Sequence, residues 1–242
     1  MLASHAHRFI FLKTRKTAGA SLEIALSAHL GEADVICPIS PADEIIRAAL
    51  FPNALPRNYS TDPAAEAAYR AAIRQDRLDD HGNCLEPSPQ ADRIFFNHMP
   101  AGPARRALGE AFWDRAFKFS MERHPYEKVV SLAYFRMPGA AGGDFARLLD
   151  EEVERGAYRN FDIYSIDGST AVDFIIRYEA LEAGIRHVER VTGCADILAR
   201  MPFTKNTQRR DRRSAREILN RAQKLIVRER CSEEFALFNY DY

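Results

Sequence analysis

The sequence predicts a three-layer α/β fold with a mostly parallel central sheet flanked by helices. Three observations carry this. Short apolar runs alternate with helical patterns along the chain. The first run, Phe9 to Leu12, is four consecutive large apolar residues, the habit of a strand buried on both faces. That run then passes through a polar turn directly into an apolar-striped helix. With 242 residues, no internal repeat and no linker, residues 1–242 are expected to form one domain.

Residues 13–19, KTRKTAG, form the turn after the first strand. From Ala18 the pattern is helical: Leu22, Ile24, Ala25, Leu26 and Leu30 make an apolar stripe that Gly31 stops. Ser40, Pro41 and Asp43 start a short helix that runs to Leu50, with a serine cap, proline in the first turn and an acid near it. Residues 51–92 have the least pattern. An alanine-rich helix is expected from about Asp62 to Arg77, and the whole stretch reads as an insertion, either a substrate-side lid or decoration. Arg93 to Phe96 is expected to be a second strand, Phe117 to Met121 a third and Phe174 to Tyr178 a fourth. Helices are expected from Pro125 to about Phe135, from 143 to 155, and from Leu181 to Val191 ending at Gly193. A basic segment from Lys205 to Arg216 precedes a long C-terminal helical pattern.

Composition narrows the function. Hydrophobic residues make up 46% and charged residues 28%, which excludes wholesale disorder, collagen and coiled coil. No apolar run reaches the roughly 20 residues of a membrane span. The opening MLASHAHR lacks the apolar region of a signal peptide. The 34 basic and 34 acidic residues balance, so no global charge draws the chain to nucleic acid or anionic lipid. Cys37, Cys84, Cys194 and Cys231 are scattered without a CxxC pair, as free thiols of a reducing compartment are, and a cytoplasmic location is expected. The seven histidines form no metal-ligand motif, and no metal is expected.

Two segments carry chemistry. Lys16-Thr17-Ala18-Gly19-Ala20-Ser21 lies between a strand and a helix, where backbone N–H groups at a helix N-terminus suit a phosphate. Lys16 adds a charge, and Thr17 and Ser21 add hydroxyl donors. The loop is not a Walker A sequence, which counts against an ATPase or GTPase. The second segment runs from Arg123, at a strand's C-terminal end, to Ser131, two turns into the next helix. Arginine reads phosphate bidentately, and the two side chains projecting to one point would hold a second phosphate. Taken singly, the first segment is also an ordinary helix start, and the second a surface arginine with a core-facing serine.

Taken together, the segments resemble the paired phosphate motifs of PAPS-dependent sulfotransferases, particularly carbohydrate sulfotransferases, whose first motif reads like PKTAGTSL. Here it stands as Arg15 to Leu22. The second motif, with its arginine, Pro-Tyr pair, basic residue and serine, stands as Arg123 to Ser131. Val172 to Leu181 is similar to the family's strand ending in Arg-Phe-Glu-x-Leu, and Phe235 to Asp241 to its C-terminal ending, so the resemblance spans nearly the whole chain in order.

The resemblance implies a P-loop-like fold and sulfuryl transfer from PAPS to an acceptor hydroxyl, with a glycan favoured as partner and neither nucleic acid nor metal involved. It implies that Lys16 contacts the donor's 5′-phosphosulfate, with Thr17, Gly19, Ala20 and Ser21 around it. Arg123 and Ser131 would take the 3′-phosphate. Lys205 and Asn206 would belong to a loop closing over the nucleotide, though a solvated basic surface reads the same way. The chain departs from the family where Arg15 replaces the usual proline, Ala20 a threonine and His124 an acid or amide, and where the second basic position is Lys128. His98, in FFNHMP, resembles the family's Gly-His-x-Pro histidine and is the candidate base, an imidazole titrating near neutrality. Glu122 and Glu179 are rivals. A kinase-like phosphotransferase, a donor-binding relative without activity, and a nucleic-acid binder using Lys205 to Arg230, with ten basic residues against three acids, are the competing functions.

Overall fold

A computed structural model describes residues 1–77, 93–137, 144–202, 211 and 213–241. The chain opens with β1 (Leu2–Ser4), β2 (Phe9–Leu12), α1 (Gly19–Ser27), β3 (Val35–Ile36), α2 (Pro41–Leu50) and α3 (Pro63–Arg74). The middle holds α4 (Ala101–Leu108), α5 (Glu110–Trp113), β4 (Phe117–Glu122), α6 (Pro125–Arg136), α7 (Phe145–Arg155) and α8 (Phe161–Tyr164). After the small hairpin of β5 (Ser165–Ile166) and β6 (Ser169–Thr170) come β7 (Phe174–Arg177), α9 (Leu181–Thr192) and α10 (Ile197–Arg200). The C-terminal region divides into α11 (Ala215–Ile218), α12 (Arg221–Arg230) and α13 (Ser232–Phe238).

Five strands form one sheet in the order β3-β1-β2-β4-β7. The pairs β2–β4 and β4–β7 are parallel, whereas β1 runs antiparallel to both β2 and β3. The sheet is therefore mixed rather than mostly parallel. The reversal is local: β1 and β2 form a tight hairpin through residues 5–8, which needs no crossover. Neither β1 nor β3 was expected, because three and two residues are too short for a readable period.

Alternation along β1 and β2 buries both faces of the sheet. Leu2, Phe9 and Phe11 pack with α1, α9 and α10, while Ala3, Ile10 and Leu12 pack with residues of α3, α4 and α5. Phe11 stacks across the parallel register on Phe119, with ring centroids 5.1 Å apart. Each buried phenylalanine contributes about 1.5–3 kcal/mol by leaving water. A third cluster joins α6, α7, α12 and α13 around Tyr126, Val129, Val153 and Val227.

Two further expectations are corrected. Arg93 to Phe96 is not a strand; Arg93 makes a single bridge to Ser60. The long C-terminal helix is three helices, because Asn220 and Ser214 each start a new one with a capping box. In the described part of the stretch after residue 50, Leu55, Tyr59, Tyr69 and Ile73 are core residues, and Arg57 bridges to β3. Residues 78–92, with Cys84, lie outside the described residues. Cys37, Cys194 and Cys231 are buried free thiols.

Candidate active site

The parallel neighbours β2, β4 and β7 end on one edge of the sheet, at Leu12, Glu122 and Arg177. The two sequence motifs leave the first two of these ends, and the candidate base Glu179 follows the third. In an open α/β sheet, ligands gather outside these carboxyl ends. Side chains tie the edge together. Thr14 Oγ1 donates to the Met121 carbonyl at 2.5 Å, and Ser120 Oγ to that of Leu12 at 2.7 Å. Asn160, wholly buried, grips the Arg15 backbone from both sides: its Oδ1 accepts from Arg15 N–H at 3.0 Å and its Nδ2 donates to the Arg15 carbonyl at 3.0 Å.

The loop separates its two lysines. Lys13 turns inward and puts its ammonium 2.8 Å from Glu23 Oε2, both side chains being buried. Burial alone would raise the Glu23 carboxyl. Lys13, the amino terminus and Arg47 outweigh it and hold the carboxyl down to about 2. The Lys13 stem crosses Gly19 so closely that a Cβ there would lie 2.7 Å from Lys13 Cγ. Lys16 is half-buried and faces the other way, with Nζ 4.2 Å from the centre of the Phe135 ring.

Lys16 and Ala18 both take positive φ, 61° and 64°. Among the described non-glycine residues with positive φ, only these two and Arg8 are neither Asn, Asp nor His, the types that adopt it most readily. Such strain, of order 1–3 kcal/mol per residue, persists only where the surroundings impose it, and it collects at functional sites. Here it leads into α1, which begins at Gly19 with no side-chain cap. Left-handed residues before an uncapped helix start are suited to an anion. Thr17 is fully buried, and its hydroxyl lies 2.9 Å from Thr14 Oγ1, so it can offer a ligand only its backbone. Ala20 is half-buried and Ser21 buried in the first turn.

At the start of α6, Arg123 holds Glu127 Oε2 at 3.1 Å and lies over the Tyr178 ring at 4.4 Å. Glu127 also accepts from Ala215 N–H at 2.9 Å, linking this point to α11. Ser131 and Phe135 are four residues apart on α6 and share a face, and Lys16 lies on Phe135. Ser131 is thus on the side of α6 that meets the β2–α1 loop. Lys128, the motif's second basic residue, is not on the surface. It is fully buried between Glu122 (2.8 Å) and Glu234 (3.5 Å). Burial would lower its ammonium, but the two carboxylates outweigh that and raise it.

This network occupies the rival base Glu122. Its carboxyl is fully buried and takes Lys128, the Tyr164 hydroxyl, Arg123 N–H and Asn160. Glu179 accepts from His124 N–H at 2.8 Å and from the Tyr240 hydroxyl at 3.3 Å, which ties it to the C-terminal tail.

His98 joins the loop: its Nδ1 lies 3.0 Å from the Lys13 carbonyl. A carbonyl only accepts, so Nδ1 carries the proton and Nε2 keeps a lone pair. The expectation of titration near neutrality is corrected. Burial first, then the Lys13 and Arg15 charges, push the imidazole down to about 3. Lys205 and Asn206 lie outside the described residues.

No family model and no curated protein matches the chain. The functional reading rests on the residues themselves. Those that sequence reasoning missed are Thr14, Asn160, Glu23 and Glu127, which position the motifs and carry no motif pattern of their own. Among the described residues no group of His, Cys, Asp and Glu is arranged to hold a metal, and no helix is long and apolar enough to cross a membrane.

Proposed function

We propose that the chain is a sulfotransferase of P-loop-like fold that moves a sulfuryl group from PAPS to an acceptor hydroxyl, with a glycan as the favoured acceptor class. The observation that carries this reading is the adjacency of two anion-suited points: the β2–α1 loop with Lys16 and the β4–α6 start with Arg123 leave neighbouring parallel strands on one edge. A donor with phosphates at both its 5′ and 3′ positions needs two such points.

The donor supplies an activated sulfuryl group, and the bond from sulfur to the acceptor oxygen forms as the bond from sulfur to the phosphate oxygen breaks. Lys16 and the N-terminus of α1 hold the 5′ end and stabilise the charge that grows on the departing phosphate oxygen. Arg123 and Ser131 hold the 3′-phosphate, with Arg123 giving up part of its hold on Glu127. His98 Nε2 takes the acceptor proton. At about 3 the free imidazole is a weak base. Anionic groups entering beside it offset the Lys13 and Arg15 charges and raise its basicity. Proton acceptance is thereby coupled to donor binding.

The test is transfer of label from sulfur-labelled PAPS to a panel of glycans, phenols and lipids. Label on a glycan with the natural chain, and none with Lys16→Ala, supports the reading. No transfer to any acceptor, or transfer from γ-labelled ATP in its place, overturns it.

A further inference from the structure

Across α6 from the β2–α1 loop lies a second basic feature that the reaction does not use. Arg216, Arg221, Lys224 and Arg228 line a cleft of about 270 Å³ together with Tyr126 and Leu225. Tyr126 and Phe135 are nine residues apart, two and a half turns, so they leave opposite sides of the helix. Phe135 meets Lys16; Tyr126 faces the cleft.

The cleft is lined by four cations and no carboxylate. Arg221, Lys224, Leu225 and Arg228 recur at the spacing of one helix face on α12, and Arg216 comes from α11. Several surface arginines elsewhere in the described chain are paired: Arg105 with Glu110, Arg147 with Glu151, Arg186 with Glu182, Arg213 with Asp211 and Arg230 with Glu154. Arg216, Arg221 and Lys224 have no ion pair among the described residues. Like charges converging on one cleft repel, and an anion relieves that repulsion. The α12 cations spread over about 10 Å of helix, so a ligand with two or more anionic groups meets several at once.

We propose that this cleft binds the anionic segment of a sulfated or carboxylated glycan, at a distance from the reacting centre. The choice of glycan rests on the sulfotransferase reading; the preference for an oligoanion rests on the cleft alone. Arginine pairs bidentately with sulfate and carboxylate groups. A single-stranded nucleic acid would want an exposed aromatic ring to stack on, and Tyr126 is buried at 3% exposure with its hydroxyl toward the Lys224 carbonyl. A membrane surface would want a broad apolar face, and the cleft offers one exposed leucine, Leu225.

The experiment is calorimetric titration of the full chain with a fully sulfated tetrasaccharide, beside a single-stranded oligonucleotide of equal charge. The natural chain binds the tetrasaccharide more tightly, with affinity that falls steeply with salt, and Arg221→Glu/Lys224→Glu weakens it at least about 10-fold and flattens the salt dependence. The variant keeps its fold, since an acid in the first turn of α12 suits the helix N-terminus. Unchanged binding in the variant overturns the proposal, and so does equal or tighter binding of the oligonucleotide. Stabilisation by 3′-phosphoadenosine 5′-phosphate, measured separately on the same proteins, reports on the donor site. If it is absent while tetrasaccharide binding is lost only in the variant, the sulfotransferase reading fails and the cleft remains an oligoanion site.

Discussion

The Lys13 ammonium and Glu23 Oε2 lie 2.8 Å apart beneath the β2–α1 loop, with both side chains buried. Lys16, three residues on, is half-buried and faces the other way. One loop thus ties one lysine into the core, and the proposed function gives the other to the donor. Removing either charge has a different consequence.

Lys13→Ala leaves Glu23 buried with part of its compensation gone. Breaking a buried pair costs about 3–5 kcal/mol, a fall in melting temperature of roughly 6–20 °C for a chain of this size. Lys16→Ala leaves stability within about 1 kcal/mol and lowers kcat by ~10²-fold or more, as loss of a transition-state charge does. Thermal melts beside saturating-donor kinetics check both. A Lys16→Ala enzyme with intact turnover at saturating donor contradicts the assignment.

Gly19→Ala should destabilise, although alanine is the better helix former by about 1 kcal/mol. The added Cβ meets the Lys13 stem at 2.7 Å and pushes it from Glu23. A cost of roughly 1–3 kcal/mol is expected from such overpacking. Urea denaturation measures it, and a neutral or stabilising result would show that the Lys13 stem moves aside freely.

His98 links stability to pH. Its ordinary value is near 6.5 and its folded value about 3. Between these, the unfolded chain binds more protons, so this contribution is present above 6.5 and is lost as pH falls toward 3. His98→Asn keeps a polar group at a positive-φ position that asparagine tolerates. The stability difference between natural chain and variant should narrow from pH 7 to pH 4.5. In turnover, His98→Asn should lose ~10²–10⁴-fold with nucleotide binding nearly unchanged. Near-natural turnover would move the base elsewhere.

The sequence showed what depends on local pattern. The FIFL and FKFSM strands, the Ser40 cap of α2, the Gly193 end of α9 and the strand-to-helix junctions at residues 13–19 and 123–125 were readable because each is a run, a cap or a spacing. The direction of β1 was not, since antiparallel pairing through a four-residue turn leaves no periodic mark. Nor was the inward turn of Lys13, which depends on a glutamate ten residues away, or the burial of Lys128, which depends on Glu234 from the opposite end of the chain. His98 was expected after a strand that is not there, and its depressed basicity was not readable, because burial and two neighbouring cations set it.

The central claim is that two phosphate points share one sheet edge, and one melting experiment tests it most directly. At ~100 times its dissociation constant, without added metal, 3′-phosphoadenosine 5′-phosphate should stabilise the chain by roughly 2.7 kcal/mol, a rise of roughly 5–10 °C. AMP at the same concentration should do much less, and Arg123→Ala should bring the two nucleotides together by weakening the first. Equal shifts from both nucleotides with the natural chain would contradict a site built for two phosphates.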